Sequence, residues 1–151
     1  MTLGERNNNP LNIRRGKSRW QGEVLPQRGQ LPVGSGAIGE LATEGREGAF
    51  VQFSSMEYGL RAAFCILRTY RDKYKAVCIE DIITRWAPPT ENDTRKYISD
   101  LCKLTGFGGK ERLTEKDWPK LVKQMALLES GITLSEDVIQ KGFRLFKEMK
   151  K

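Results

Sequence analysis

The sequence predicts an α+β fold in which a small, irregular and partly β N-terminal lobe precedes a mainly helical lobe. Residues 4–53 are rich in Gly, Asn and Pro and show few helical periods. From residue 54 onward, apolar residues recur at the three- and four-residue spacing of amphipathic helices. With 151 residues and 38% hydrophobic content, the chain suits one domain with one core. We therefore expect a single domain over residues 1–151, with lobes at 1–53 and 54–151.

The N-terminal lobe contains two short β-like runs, at residues 20–25 and 49–53, with a Gly-rich stretch at residues 34–39 between them. Apolar runs bounded by turn residues are typical of hairpin strands. We therefore expect one or two hairpins in this lobe.

The helical lobe is predicted to contain about five helices. Their apolar stripes and end signals place them near residues 54–74, 79–86, 93–105, 117–130 and 135–149. A capping box at residues 54–57 begins the first helix, and two prolines at 88 and 89 stop the second. Asn92 or Asp93 caps the third helix, and Gly106 ends it.

Composition narrows the classes of function. The formal net charge is +7, which favours an anionic partner such as nucleic acid, acidic lipid or an anionic cell-wall polymer. The chain has no histidine, which excludes Ser-His and Cys-His catalysis and the commonest metal sites, so we expect no cofactor and no metal. The widely spaced Cys65, Cys78 and Cys102 are predicted to be free, buried thiols.

Two further features bear on location. No run approaches the roughly 20 apolar residues of a membrane span. The N-terminus lacks the apolar segment of a secretory signal. We therefore expect synthesis in the cytoplasm without a secretory signal.

Glu129 is the leading candidate for a catalytic group. Leu121, Val122, Met125 and Leu128 form the apolar stripe of a short helix, and Glu129 extends the same stripe. An acid at the negative end of a helix dipole, partly removed from water, should resist ionisation. A general acid working near neutral pH requires this property.

Glu5 is the alternative to Glu129 as the general acid, and other carboxylates are open as a partner of the acid. Glu5 adjoins an asparagine triplet, and an exposed N-terminal acid is its simpler interpretation. Glu91 follows two prolines in a polar patch with Asn92 and Thr94, where helix capping explains Asn92 or Thr94 but leaves Glu91 without a structural role. Further candidates for a second carboxylate lie in the Gly-rich lobe: Glu40, Glu44 and Glu47.

Four asparagines near the N-terminus, Asn7, Asn8, Asn9 and Asn12, are unusual in their density. Asparagine side chains stabilise tight turns by bonding to backbone groups. They are equally suited to bind the acetamido and hydroxyl groups of an amino sugar. We expect most of the four to be structural and one or two to face a cleft.

Three segments together carry a family resemblance. They are Gly-Glu-Arg-Asn-Asn-Asn-Pro-Leu-Asn-Ile-Arg at residues 4–14, Phe-Val-Gln-Phe-Ser-Ser-Met-Glu-Tyr-Gly-Leu-Arg-Ala at 50–62, and Arg-Trp-Ala-Pro-Pro-Thr-Glu-Asn-Asp-Thr-Arg-Lys-Tyr at 85–97. The chain resembles the phage and prophage family marked by an Arg-Asn-Asn-Asn-Pro-Gly-Asn-Ile signature, whose members are described as virion structural or lysozyme-like proteins. Leu11 stands where that signature has glycine.

A second resemblance concerns the chemistry. The chain is similar, in rotated order, to bacterial autolysin glucosaminidases of the lysozyme superfamily. The shared strings are Asn-Asn-Pro-Leu-Asn-Ile, Trp-Gln-Gly, Phe-Ser-Ser-Met-Glu and Trp-Ala-Pro-Pro, followed by Leu-Leu-Glu-Ser-Gly at residues 127–131. The rotation implies a circularly permuted, lysozyme-like fold, which is physically accessible where chain ends lie exposed and close together.

The resemblance implies roles for individual residues. Tyr97 matches an autolysin tyrosine placed near the catalytic acid, although core packing also explains its position. Glu57 matches the same pattern, although a capping box also explains it. The catalytic candidates are therefore Glu129, Glu5, Glu91 and Tyr97. The substrate-binding candidates are Asn7, Asn8, Asn9, Asn12, Trp20, Glu57, Trp86, Asn92 and Thr94.

These observations predict a peptidoglycan-cleaving glycosidase or lytic transglycosylase of phage or prophage type. Its partners would be glycan strands and other virion or secretion-machine proteins. The alternative is a non-catalytic virion or glycan-binding protein with the same fold, since fold does not guarantee chemistry. Nucleic-acid binding is a weaker hypothesis, because the charge permits it but no recognised binding motif accompanies the charge.

Overall fold

The computed structural model describes residues 2–14, 20–24, 50–89 and 93–148. The predicted Gly-rich stretch lies outside these residues. So do five of the candidate site residues, namely Glu40, Glu44, Glu47, Glu91 and Asn92.

The described chain is mostly helical, with one small sheet. Its helices are α1 (Leu3–Asn7), α2 (Met56–Tyr74), α3 (Ile79–Trp86), α4 (Thr94–Thr105), α5 (Trp118–Ser130) and α6 (Glu136–Glu148), with a 3₁₀ turn at Glu115–Asp117 before α5. Strands β1 (Glu23–Val24) and β2 (Gln52–Phe53) pair antiparallel. The α+β class and the five helices of the second lobe are therefore confirmed. The lysozyme-like architecture, the circular permutation and the single domain stay predictions.

The two strands pair the early part of the N-terminal lobe with its last residues. Glu23 lies opposite Phe53 and Val24 opposite Gln52, and an isolated bridge joins Arg14 to Phe50. Both strands fall inside the predicted β-like runs, so the hairpin-like pairing of these runs is confirmed over the described residues.

Helix α1 is missing from the sequence prediction. The Thr2 side chain accepts a hydrogen bond from the Glu5 backbone, and the Glu5 carboxylate accepts one from the Thr2 N–H at 2.8 Å, which completes a capping box. Five residues are too few to show a helical apolar period, so only the cap could have predicted this helix.

Helix α2 begins one residue later than expected, and the predicted capping box is wrong. Its N-cap is Ser55, whose side chain makes no capping hydrogen bond. The reason is tertiary: the Ser54 N–H donates to the Gly22 carbonyl at 2.7 Å, which extends the β1–β2 pairing past β2. The Ser54 N–H is therefore occupied by the Gly22 carbonyl, and Glu57 has no reciprocal capping role.

The other helix ends follow the sequence signals. Asp93 caps α4 by accepting from the Lys96 N–H at 3.1 Å, and Gly106 ends that helix in the left-handed conformation, at φ +82°. Ser135 accepts from the Val138 N–H at 3.2 Å at the start of α6.

The core forms around α2, which packs closely against α6. Gly142 of α6 lies against Leu60 of α2, and the Phe64 ring meets Phe143 edge-on with centroids 5.0 Å apart. Leu121 and Met125 of α5 are fully buried in the same core.

Two predictions from composition can be compared with the fold. Cys65 and Cys78 are free and buried, as expected, whereas Cys102 is free and half-buried. Across the described ranges, every helix is too short or too polar to cross a bilayer.

Candidate active site

Glu129 lies in the last turn of α5, beside the left-handed Gly131 that ends the helix. Leu121, Val122 and Met125 of its stripe are fully buried, and the Glu129 side chain is half-buried. The prediction that an acid extends a buried apolar stripe is therefore confirmed.

The Glu129 carboxylate is held by a neighbouring helix. The Tyr97 hydroxyl of α4 donates a hydrogen bond to Glu129 Oε2 at 2.9 Å. Burial raises the pKa of Glu129 above its ordinary value of 4.5, while hydrogen bonds from the Tyr97 and Asn12 side chains act in the opposite direction. Burial therefore outweighs the donors, and the carboxyl group retains its proton to higher pH than a solvated glutamic acid.

Tyr97 cannot compete with Glu129 as an acid. Burial raises the pKa of its hydroxyl strongly, and the negative charge of the neighbouring carboxylate raises it further. The hydroxyl therefore stays protonated and acts as a permanent donor to Glu129.

Glu129 faces a cavity of about 410 Å³ that it shares with part of the asparagine segment. The lining residues come from the N-terminal segment, the residue two positions before β2, α2, the end of α3 and the residues after it, and α5. They are Leu11, Asn12, Ile13, Arg14, Phe50, Ile66, Tyr70, Trp86, Ala87, Pro88 and Glu129. Of the predicted site residues, the cavity thus brings together Glu129, Asn12 and Trp86, with Tyr97 bonded to Glu129 from α4.

The N-terminal segment fixes the end of α5. Asn12 Nδ2 donates to the backbone carbonyl of Glu129 at 3.2 Å, and Ser130 Oγ donates to the Pro10 carbonyl at 2.8 Å. Helix C-termini leave carbonyls without intrahelical partners, and the Asn12 amide satisfies one of them. Gly4 of α1 lies directly against the Ser130 side chain. The position of Glu129 therefore depends on residues almost the whole chain length away.

The remaining asparagines are structural. Asn9 is fully buried, where its side chain donates to the carbonyls of Ile13 and Val51 at 2.9 and 2.8 Å and accepts from the Ile13 N–H at 2.8 Å. Asn8 donates to the Phe53 carbonyl at 3.0 Å, and Asn7 is fully buried. The expectation that most of the asparagines are structural and that one or two face a cleft fits this arrangement.

Leu11 shows how the chain manages without the signature glycine. Its side chain is buried in the core, and the left-handed backbone conformations fall instead on Asn8 and Asn12, at φ 51° and 53°. Asparagine adopts this conformation more readily than other non-glycine residues.

Besides Asn7, Asn8 and Asn9, four predicted site residues lie away from the cavity. Glu5 is exposed in the cap of α1, and Glu57 lines a separate groove between α2 and α6. Trp20 packs partly buried against the core, and its backbone N–H donates to the Glu23 side chain at 3.0 Å. Thr94 is buried and donates to the Ala87 carbonyl at 2.5 Å, so it ties α4 to the end of α3.

Eight residues of the cavity wall were not among the predicted site residues: Leu11, Ile13, Arg14, Phe50, Ile66, Tyr70, Ala87 and Pro88. Arg14 and Phe50 face each other across the isolated bridge, with the Arg14 guanidinium 4.8 Å from the Phe50 ring centroid. Ile66 and Tyr70 lie four residues apart on α2, so helical spacing places them on one face. Only the fold could show that this face lines a cavity rather than the core.

The fold and cavity define a small, mostly helical α+β protein with a half-buried acid in a cleft. Its sequence is 37% identical over 144 residues to Protein P5 of Pseudoalteromonas phage PM2, and the match covers 93% of this chain and 79% of the phage protein. The chain belongs to the family of that phage protein. No protein-family model matches the sequence. The predicted relationship to phage proteins is confirmed, and membership in the signature family stays a prediction.

Proposed function

We propose that this protein cleaves the glycan strands of peptidoglycan, as a glycosidase or a lytic transglycosylase, with Glu129 as the general acid. The observation that carries the proposal is the pairing of a carboxyl group whose pKa is raised by burial with a cavity large enough to admit saccharide units. Perturbed acids in clefts are typical of catalytic sites.

The chemistry assigned to Glu129 is proton donation to the glycosidic oxygen. As the bond between the sugar carbon and that oxygen breaks, the leaving sugar takes the proton and Glu129 becomes a carboxylate. The Tyr97 hydroxyl, 2.9 Å from Oε2, stabilises the carboxylate that this step produces. Tyr97 is thus a positioning residue that also tunes the acid.

Hydrolysis and transglycosylation differ in the group that attacks the sugar carbon. An inverting hydrolase activates water with a base roughly 6.5–9.5 Å from the acid, and a retaining one uses a nucleophile about 5–5.5 Å away. A lytic transglycosylase needs one acid/base, because the sugar's own hydroxyl attacks. Glu5 lies in the cap of α1, and the remaining candidates for a second carboxylate fall outside the described residues, so both mechanisms remain within the proposal.

Substrate binding is assigned to the cavity wall. The Trp86 and Tyr70 rings offer faces for the apolar side of a sugar ring, and Asn12 lies beside Glu129. A lysozyme-like, circularly permuted fold belonging to the signature family is part of the same proposal.

The setting of the reaction is also part of the proposal. The +7 charge favours approach to an anionic wall polymer, and the relationship to a phage protein supports a role in the attack of a phage or prophage on its host's wall. The protein would be delivered to the wall by a virion, a holin or a secretion machine.

Digestion of purified sacculi tests the proposal. Wild-type protein and Glu129→Gln are incubated with sacculi, and the released muropeptides are identified by mass. Wild type should release fragments, with anhydro ends from a transglycosylase or reducing ends from a hydrolase, and Glu129→Gln should release at least about a hundredfold less. The exposed Glu136→Gln serves as the matched control and should cleave normally.

Two outcomes would overturn the proposal. Full activity in Glu129→Gln would remove the assigned acid. A correctly folded wild type that releases nothing would favour the non-catalytic, glycan-binding alternative.

A further inference from the structure

The aromatic wall of the cavity continues beyond it, along α2 and α3. Trp86 and Tyr70 both line the cavity, with ring centroids 6.2 Å apart and planes at 78°. Tyr70 in turn meets Tyr74, one turn further along α2, at 6.4 Å and 70°. Tyr74 is 41% exposed and lies outside the cavity. We call these three residues, Trp86, Tyr70 and Tyr74, the aromatic ledge.

The Arg85 side chain lies at the outer end of the aromatic ledge. The guanidinium carbon of Arg85 lies 3.5 Å from the Tyr74 ring centroid, and the Arg85 side chain is exposed. Within the described part of the chain, Arg85 forms no ion pair with a carboxylate. A guanidinium held over a ring by its central carbon still has N–H groups with which it can bind a planar carboxylate through two hydrogen bonds.

Packing between α2 and α3 explains the inner part of this arrangement, but not its outer end. Tyr70 and Trp86 are half-buried and contact the core. Tyr74 and Arg85, by contrast, are exposed, so burial of apolar area does not account for a long cationic side chain fixed over a ring in water. An exposed cation–π contact is weakly favourable, and it opposes the conformational entropy lost by a flexible arginine held in one position.

We propose that Arg85, positioned by Tyr74, is a carboxylate-binding subsite at the outer end of the aromatic ledge. Its ligand is an acidic group carried by a saccharide strand whose other units lie on Trp86 and Tyr70 in the cavity. Under the proposed function, the acidic group is a lactyl or stem-peptide carboxylate of peptidoglycan, and this identity rests on that function. The subsite would favour an anionic amino-sugar polymer over a neutral one.

Binding to insoluble glycans tests the subsite without relying on catalysis. All variants are made in a Glu129→Gln background, and their depletion from solution by purified sacculi and by chitin is measured at constant ionic strength. Arg85→Gln should bind sacculi about fivefold more weakly, the upper range for an exposed ion pair, and chitin unchanged. Tyr74→Ala should lose the same preference, because Arg85 is no longer held in place, whereas Tyr74→Phe should keep it.

Two controls separate the subsite from the general charge of the protein. Arg144→Gln removes an equal charge from α6 and should bind sacculi like the parent. Sacculi whose carboxylates have been amidated should bind the parent more weakly than native sacculi do, and on them Arg85→Gln should have no further effect.

Either of two results would overturn the subsite. The parent, Arg85→Gln and Tyr74→Ala could all bind native sacculi equally well. Alternatively, Arg85→Gln and Arg144→Gln could lose the same amount of sacculus binding. This failure is distinct from failure of the proposed function. If wild type releases muropeptides while Arg85→Gln binds normally, the subsite alone is wrong. If Arg85→Gln loses binding while wild type releases nothing, cleavage is wrong and the carboxylate subsite stands.

Discussion

Tyr97 and Glu129, 32 residues apart in the chain, meet between α4 and α5 through a 2.9 Å hydrogen bond from the tyrosine hydroxyl to Oε2. The bond places a permanent donor on an acid whose pKa burial raises. The two effects oppose each other, so the acidity of Glu129 depends on both.

Removal of the Tyr97 hydroxyl should shift the pH dependence of cleavage upward. The hydroxyl stabilises the ionised form of Glu129 and so lowers its pKa. In Tyr97→Phe the pKa of Glu129 should therefore rise further, and the basic limb of the pH–rate profile should move to higher pH. Tyr58→Phe, which removes a hydroxyl away from the pair, is the control. Movement of the limb to lower pH in Tyr97→Phe would contradict this relationship.

Glu129 should make the folded protein less stable as the pH rises. Its pKa is raised in the folded state, so between its ordinary value of 4.5 and the folded pKa the native state holds a proton that the unfolded chain has lost. This contribution to stability is complete below 4.5 and is lost as the pH rises through the folded pKa. Glu129→Gln does not titrate, so its midpoint of thermal unfolding should rise relative to wild type across this window. If the difference in unfolding midpoint between Glu129→Gln and wild type does not change with pH, the pKa of Glu129 is not raised in the folded state.

Asn9 should be intolerant of exchange to aspartate. Its side-chain amide donates to two buried carbonyls, those of Ile13 and Val51. A carboxylate in the same place has no N–H to donate, so its oxygens would lie against both carbonyl oxygens. Asn9→Asp should lower the free energy of unfolding by about 3 kcal/mol or more, measured by urea denaturation. The exposed Gln140→Glu makes the same amide-to-acid exchange and should change stability little. Similar values for the two variants would show that Asn9 has no such structural role.

A methyl group at Gly4 should disturb the acid from a distance. A Cβ atom there would overlap the Ser130 side chain, next to Glu129 and hydrogen-bonded to the Pro10 carbonyl. Gly4→Ala should lower stability by about 1–3 kcal/mol and reduce muropeptide release. At Gly108 the nearest atom to an added Cβ lies 3.6 Å away, so Gly108→Ala is the matched control. Normal cleavage by Gly4→Ala would separate Glu129 from the N-terminal segment.

Local signals predicted the elements that carry Glu129 and Tyr97. An apolar stripe and a terminal glycine defined α5, and Asp93 with Gly106 defined α4. Such signals act over a few residues, so they are readable without the fold.

Relationships between distant residues could not be predicted in the same way. Ser54 was expected to cap α2, but its N–H pairs with Gly22, 32 residues earlier, so the helix starts at Met56. Asn9 and Asn12 belong to the same asparagine-rich segment. Asn9 is buried and donates to the Val51 carbonyl, whereas Asn12 donates to the Glu129 carbonyl at the end of α5. Tyr70 fits a core position, and only its place in the cavity beside Trp86 marks it as a candidate for binding.

Direct titration of Glu129 is the most decisive measurement. The side-chain carboxyl carbons of glutamate are labelled with ¹³C, and the Glu129 resonance is assigned by its loss in Glu129→Gln. This carbon should titrate with a midpoint clearly above 4.5. A midpoint at or below 4.5 would show that Glu129 is ionised like any surface acid, and the protein would then lack the proton donor on which the proposed cleavage depends.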